Sequence, residues 1–212
     1  MKLQRALDLL PGWLSEWRLT LSVAKTQAIT FGGRPRLPPP LRLLGQQVPW
    51  KPTATYLGVT IDKHLRMSGQ VKKAAAAAKM ALFRLRPLLR SKLPLRTKLA
   101  LYKTFVRPHL TYATPAWYAL ANAPQRKIMQ VVQNIALRHV TQAPYIVRNS
   151  TLQRDLKIES LEDHIGRLAA NAFSRADVSD HLHLQSIAPW HTRPPDRKRL
   201  PRDILTSPNS DS

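Results

Sequence analysis

Lys72, Lys79, Arg86 and Arg90 recur at spacings of seven, seven and four residues, and on a helix that spacing sets four cations along one edge. Such an edge can neutralise a run of phosphates and hold a nucleic acid without reading its sequence; a solvated basic face is the alternative meaning. Groups able to break or form a phosphate bond are scarcer. Two-metal phosphoryl chemistry needs at least two converging carboxylates, yet between Trp17 and Arg154 the only acid is Asp62. The later acids fall on a helix face and in the C-terminal stretch, where capping and solvation account for them. His181 and His183 are close together with His191 nearby, but no Cys or carboxylate set accompanies them, so no metal site is expected. There is no Gly-rich phosphate loop, G-x-S-x-G elbow or Cys-His pair. The sequence therefore predicts binding chemistry without a complete catalytic site, and no cofactor held by this chain.

The charge distribution supports that division. The 212 residues carry 34 Lys+Arg against 12 Asp+Glu, a formal net charge of +22, with 43% hydrophobic residues, enough for a buried core. Residues 1–16 are neutral, whereas Trp17 to Arg154 holds 24 Lys+Arg and one acid, and eight bases face nine acids from Asp155 onward. The excess sits in one central block that repels itself unless a polyanion is present, and RNA or DNA is the natural counter-charge. A membrane surface is the weaker partner, given the prolines and scattered aromatics. With no Cys, there is no disulfide framework. No apolar run reaches the roughly 18 residues of a membrane span, and the opening residues are amphipathic rather than signal-like; an intracellular location, nuclear or cytoplasmic, is expected.

The elements that must position these residues follow from periodicity. Leu3, Leu7, Leu10, Leu14 and Trp17 predict an amphipathic helix over residues 2–18, with Pro11 as a point of kinking and one face buried. Leu19 to Phe31 reads as two β-rich stretches around Ala24-Lys25-Thr26. A hairpin around Gly45 over Leu41 to Val48 and a strand from Thr55 to Ile61 come next. From His64 the period becomes helical, with Met67, Val71, Ala74, Ala78, Leu82, Leu85 and Leu89 inward. A second helix runs from Leu95 to about Val106, with Leu99, Tyr102 and Phe105 or Val106 inward and a kink at Arg107-Pro108. Pro124 starts a third, with Ile128, Val131, Val132 and Ile135 inward. Ile158 to Ser174 forms another, with Leu161, Ile165, Leu168 and Ala172 inward and Glu162 and Asp163 favouring its start. Residues 189–212, rich in Pro, Arg, Ser and Asp, read as disordered. The predicted class is α+β: a small N-terminal helix and hairpin over residues 1–62, a mostly helical bundle over 63–178, and a disordered tail over 179–212.

An ordered string of short motifs is more specific than any of these. Trp17 to Phe31, with Leu19, Leu21, Lys25, Thr26 and Phe31, precedes Tyr56-Leu57-Gly58-Val59 and Ile61-Asp62. There follow Leu101-Tyr102-Lys103, Arg107-Pro108, Tyr112-Ala113, Trp117, Gln133-Asn134, Leu137-Arg138, Ala143-Pro144-Tyr145 and Arg148-Asn149. In order and spacing this string resembles the end of the palm, the primer grip and the thumb of reverse transcriptases from non-LTR retrotransposons, jockey-like elements above all, over roughly residues 5–175.

That resemblance implies roles position by position. Lys25 matches the lysine of polymerase motif D, a general acid for the pyrophosphate leaving group; a surface lysine in a turn is the plain alternative, and Ser22 stands where the family has Asn. Tyr56, Leu57 and Gly58 match the primer grip, where Gly58 permits close approach of backbone and nucleic acid, although an ordinary packed strand would look the same. Lys72, Lys73, Lys79, Arg86, Arg90, Lys103 and Arg107 then belong to the thumb and face template-primer phosphates. The catalytic aspartates of the family, in an (F/Y)ADD-type turn upstream of this segment, have no counterpart here. The resemblance thus implies a reverse transcriptase fragment, a truncated product that binds RNA/DNA template-primer duplex but does not polymerise alone. Its partner is the missing fingers-palm portion, and Mg²⁺ is needed only by the full-length polymerase. The alternatives are a stand-alone basic RNA-binding protein domesticated from a mobile element, and a helical scaffold for an acidic protein.

Overall fold

In the computed structural model, which describes residues 2–31, 37–185, 187–188 and 200–205, the chain divides into two compact units, Met1–Leu65 and Arg66–Ser212. The first contains α1 (Lys2–Glu16) and two antiparallel hairpins, β1 (Leu41–Leu43) with β2 (Gln46–Val48) and β3 (Thr53–Tyr56) with β4 (Val59–Asp62). Its core is small: Ala28, Leu41, Leu43 and Val48 are buried, with Leu7, Leu21, Val23 and Trp50 packed against them. β1 supplies that core by strict alternation, Leu41 and Leu43 inward and Arg42 outward. α1 is helical on both sides of Pro11, and its expected inward face is only half-buried: Leu7, Leu10 and Leu14 are partly covered, Leu3 is exposed, and no residue of the helix is fully buried. The helix is also tied through Gln4, whose side chain accepts from Arg42 N–H at 2.9 Å and donates to Arg42 C=O at 2.8 Å, as a neighbouring strand would.

Two further expectations are corrected in this unit. The β-rich stretches of Leu19 to Phe31 form a 3₁₀ turn at Val23–Lys25 and a single parallel bridge, Ala28 to Trp50; among the described residues they gain no strand to pair along their length, and a lone stretch cannot satisfy its backbone as sheet. The strand expected from Thr55 to Ile61 is instead a hairpin reversing at Leu57-Gly58, with Tyr56 opposite Val59. Both hairpins turn on Leu-Gly pairs at positive φ, Leu44-Gly45 at 52° and 75° and Leu57-Gly58 at 45° and 79°. Two-residue loops with both residues left-handed match strand twist, and glycine takes the second position without steric cost.

The second unit is the helical bundle. α2 (Ser68–Arg90) turns Val71, Ala74, Ala75, Ala78, Leu82 and Leu89 inward. α3 (Leu95–Leu101) continues through a π-helical segment, Tyr102–Val106, into α4 (Arg107–Thr111). That segment is how the helix survives Pro108, which has no N–H and crowds the preceding turn: Arg107 N–H reaches back five residues to Tyr102 C=O. Tyr102 and Val106 are fully buried, while Phe105 is exposed. α5 (Thr114–Trp117) and a 3₁₀ turn, Tyr118–Leu120, lead to α6 (Ala123–Thr141). α6 opens with a reciprocal cap: Asn122 Oδ1 accepts from Gln125 N–H and Gln125 Oε1 from Asn122 N–H, both at 3.0 Å. Its inward face is Met129, Val132, Gln133, Ala136, Leu137 and Val140. The expected stripe is thus rotated, with Ile128, Val131 and Ile135 exposed, because polar Gln133 occupies the core. α7 (Asn149–Asp155) precedes α8 (Leu161–Asp177), which buries Leu161, His164, Ile165, Ala169 and Phe173 and is capped by Ser160; Leu168 is half-buried and Ala172 exposed.

Part of the span expected to be a tail is folded. α9 (Leu182–Gln185) follows α8, and Pro201–Ile204 forms a 3₁₀ turn. Arg202 is buried there, donating to Asp177, Ile187 C=O and Ala188 C=O and lying 4.8 Å from the Phe173 ring centroid. Residues 186, 189–199 and 206–212 lie outside the described residues.

Candidate nucleic-acid interface

The cations of the bundle fall into two populations. One is spent internally. Arg126 donates to Ala121 C=O and Ala119 C=O at 3.0 Å each, pairs with Glu162 at 2.9 Å and lies over the Tyr118 ring. Arg138 donates to Pro144 C=O, Val147 C=O and Asn149 Oδ1. Arg167 and His164 both bind Glu159, and that carboxyl is held down to about 2, chiefly by the Arg167 hydrogen bond. Burial lowers His164 below its ordinary value, so at neutral pH its contact with Glu159 is that of a neutral imidazole.

The other population is free. Lys72, Lys79, Arg86 and Arg90 are exposed on α2, and among the described residues none has an ion-pair partner. Their spacing keeps them within about 40° on the helix wheel and spreads them over about 27 Å of axis. No Asp or Glu occurs between Lys63 and Arg154, so the row meets no countercharge on α2 to α6. His139 of α6 reports the crowding: burial lowers its affinity for a proton, and Arg86 and Arg90 lower it further. Lys73 is exposed one position off the row. Lys103 is exposed on the π segment; Arg107 is half-buried, and its charge acts on Tyr102 and His164.

In the first unit, Lys25 is exposed at the end of the 3₁₀ turn. Two residues on, the Gln27 side chain accepts from Thr55 N–H at 3.1 Å, tying that turn to β3. The hairpin tip carries Tyr56 and Leu57, 68% and 73% exposed, which packing within this unit does not explain. Sequence reasoning placed Tyr56-Leu57-Gly58 inside a strand; the Leu-Gly pair was the signal that it is a turn.

Among the described residues no three His, Asp or Glu side chains converge to hold an ion. An open cavity of about 550 Å³ is lined by Tyr118, Arg126, Lys127, Gln130, Gln153, Ser160 and Glu162 among others; its one hydroxyl-bearing aliphatic side chain, Ser160, donates to Asp163 at 2.6 Å and accepts from Asp163 N–H as the cap of α8. Among the described residues no helix is long and apolar enough to cross a membrane.

Comparison with known proteins names a family. The chain is 33% identical over 198 residues to the probable RNA-directed DNA polymerase from transposon X-element of Drosophila melanogaster, covering 92% of this chain and 22% of that protein. It is 34% identical over 169 residues to the probable polymerase from transposon BS, covering 78% and 18%. With the polymerase of mobile element jockey it shares 29% over 188 residues, covering 88% and 20%. No family model and no solved structure matches. The chain belongs to the RNA-directed DNA polymerases of jockey-type non-LTR retrotransposons, of whose length it spans about one fifth.

Proposed function

We propose that this chain is the template-primer-holding portion of an RNA-directed DNA polymerase. The observation that carries the reading is the row of exposed, unpaired cations along α2 in a stretch with no acid. Four cations spaced along one edge of a helix suit a regular phosphate backbone and read no base edges, which is what an enzyme copying any template requires. The exposed tip at Tyr56, Leu57 and Gly58 positions the primer end, and Lys25 donates a proton to the departing pyrophosphate. In this reading the carboxylates that hold catalytic Mg²⁺ lie in another part of the polymerase; among the described residues of this chain no such set converges.

Binding of a fluorescent RNA/DNA primer-template at rising salt tests the holding role. If the four α2 cations each meet a phosphate, they alone contribute a slope of about −3.6 in log affinity against log salt; affinity that is flat between low and moderate salt would refute it. Lys25 is tested in a chimera carrying this chain in place of the matched segment of the X-element polymerase. There Lys25→Ala slows primer extension by about a hundredfold at unchanged primer-template affinity, and an unchanged rate removes the general-acid role.

A further inference from the structure

Arg138, Ala143-Pro144-Tyr145 and Arg148-Asn149, set apart in the sequence, form a single device that the holding role leaves unused. After α6 the chain makes a tight turn over Pro144–Val147, closed by Val147 N–H donating to Pro144 C=O at 3.2 Å. Arg138 binds that turn from beneath: Nη1 donates to Pro144 C=O at 2.8 Å, and Nη2 to Val147 C=O at 2.6 Å and to Asn149 Oδ1 at 2.9 Å. One planar guanidinium thus fixes both ends of the turn and the start of α7, and Pro144 removes further freedom. The side chains so presented, Tyr145 and Ile146, are 93% and 78% exposed and support nothing inside the bundle. Ordering a loop costs conformational entropy, and a loop ordered to hold an aromatic ring in solvent is preorganised for a ligand outside the chain.

The surroundings identify that ligand. Gln142, at the base of the loop, donates to Leu89 C=O at 3.2 Å, which places the turn at the C-terminal end of α2, where Arg86 and Arg90 end the basic row. Arg148 follows the turn and is exposed. With no acid from Lys63 to Arg154, a basic protein is repelled there, whereas a nucleic acid is attracted. An aromatic face beside cations is the arrangement that binds unstacked bases, because every base offers a π-face whatever its identity.

Resting on the holding role argued above, we propose that the Tyr145–Ile146 turn is a stacking platform for an unpaired base where the duplex on α2 gives way to single strand. The test compares a blunt RNA/DNA hybrid with the same hybrid carrying a single-stranded template extension, using the full chain. The wild-type protein binds the extended hybrid about tenfold more tightly. Tyr145→Ala abolishes that preference while leaving blunt-hybrid affinity and its salt slope unchanged, and Tyr145→Phe retains it. A 2-aminopurine at the first unpaired position changes emission with wild type and Tyr145→Phe, and does not with Tyr145→Ala. The side chain is almost wholly exposed, so the substitutions leave the fold intact. If the wild type holds the blunt hybrid but shows no preference, or if Tyr145→Ala keeps it, the platform is overturned and the tip serves another partner, such as a protein. If neither hybrid is bound in a salt-dependent manner, the holding role fails and the platform with it.

Discussion

Replacing Lys72, Lys79, Arg86 and Arg90 together by Gln is expected to weaken primer-template binding by about a thousandfold at 0.15 M salt, with the difference closing as salt approaches 1 M. The size follows from counterion release: four phosphate contacts contribute about 3.6 to the log-log slope, which at roughly 0.15 M amounts to three decades. The slope itself should fall by the same 3.6. Gln preserves helix propensity, and the four residues are exposed and free of ion pairs among the described residues, so circular dichroism and thermal unfolding should be unchanged. Single substitutions should each remove about 0.9 of slope. An affinity within a few fold of wild type at every salt concentration would show that the row is a solvated face and that the polyanion binds elsewhere.

The prediction rests on separating working cations from structural ones, which net charge alone cannot do. Arg126, Arg138, Arg167 and Arg202 bind carboxylates or main-chain carbonyls within the bundle. A guanidinium is suited to that because its planar fork satisfies several acceptors at once. Removing Arg126, Arg167 or Arg202 would lower nucleic-acid affinity only by loosening the fold, and removing Arg138 would do so through the turn it orders. By contrast, the α2 row contains two lysines, and point charges on flexible stems hold a phosphate without demanding one geometry.

Much of this was legible in the sequence, for physical reasons that differ by element. α2 was readable because its apolar positions repeat every three or four residues without a polar residue at their centre, and the same wheel fixed the place of the basic row. The Leu41–Val48 hairpin announced itself through Gly45. The second hairpin did not, because Tyr56, Leu57 and Val59 favour strand so strongly that Gly58 read as a point of close approach within a strand rather than as a turn. α6 was rotated because hydrophobicity points Ile128, Val131 and Ile135 inward, while the core took Gln133; a hydrogen-bonded amide is invisible to a hydrophobic count. The docking of Arg202 onto α8 is a long-range pairing that composition, which read the whole span as disordered, cannot reveal. The motif string was recognisable as a string, yet the geometry gives Gln133 and Arg138 structural roles that no spacing announces.

Gln133→Ala should be among the most damaging single changes in the bundle, costing about 4 kcal/mol, or roughly a thousandfold in the folding equilibrium. Gln133 is 1% exposed. Its Oε1 accepts from the Tyr102 hydroxyl at 2.7 Å and its Nε2 donates to Glu159 C=O at 3.0 Å, so one amide joins the π segment, α6 and the approach to α8. Burial pushes Tyr102 far above its ordinary titration range, which keeps that hydroxyl a donor at any physiological pH. Truncation leaves the donor and the carbonyl unsatisfied and opens a void, and those penalties add. Gln133→Leu keeps the volume and should cost less, with Tyr102→Phe in the same chain recovering part of the loss, because removing both partners of a buried hydrogen bond is cheaper than removing one. Urea unfolding of wild type, Gln133→Leu, Tyr102→Phe and the double variant measures the cycle, and a coupling energy of at least about 1 kcal/mol is expected. If Gln133→Ala unfolds within about 1 kcal/mol of wild type, the bond does not hold the bundle together. In the folded fraction, primer-template affinity should be unchanged, because the amide is buried in the core whereas the proposed phosphate contacts are the exposed cations of α2.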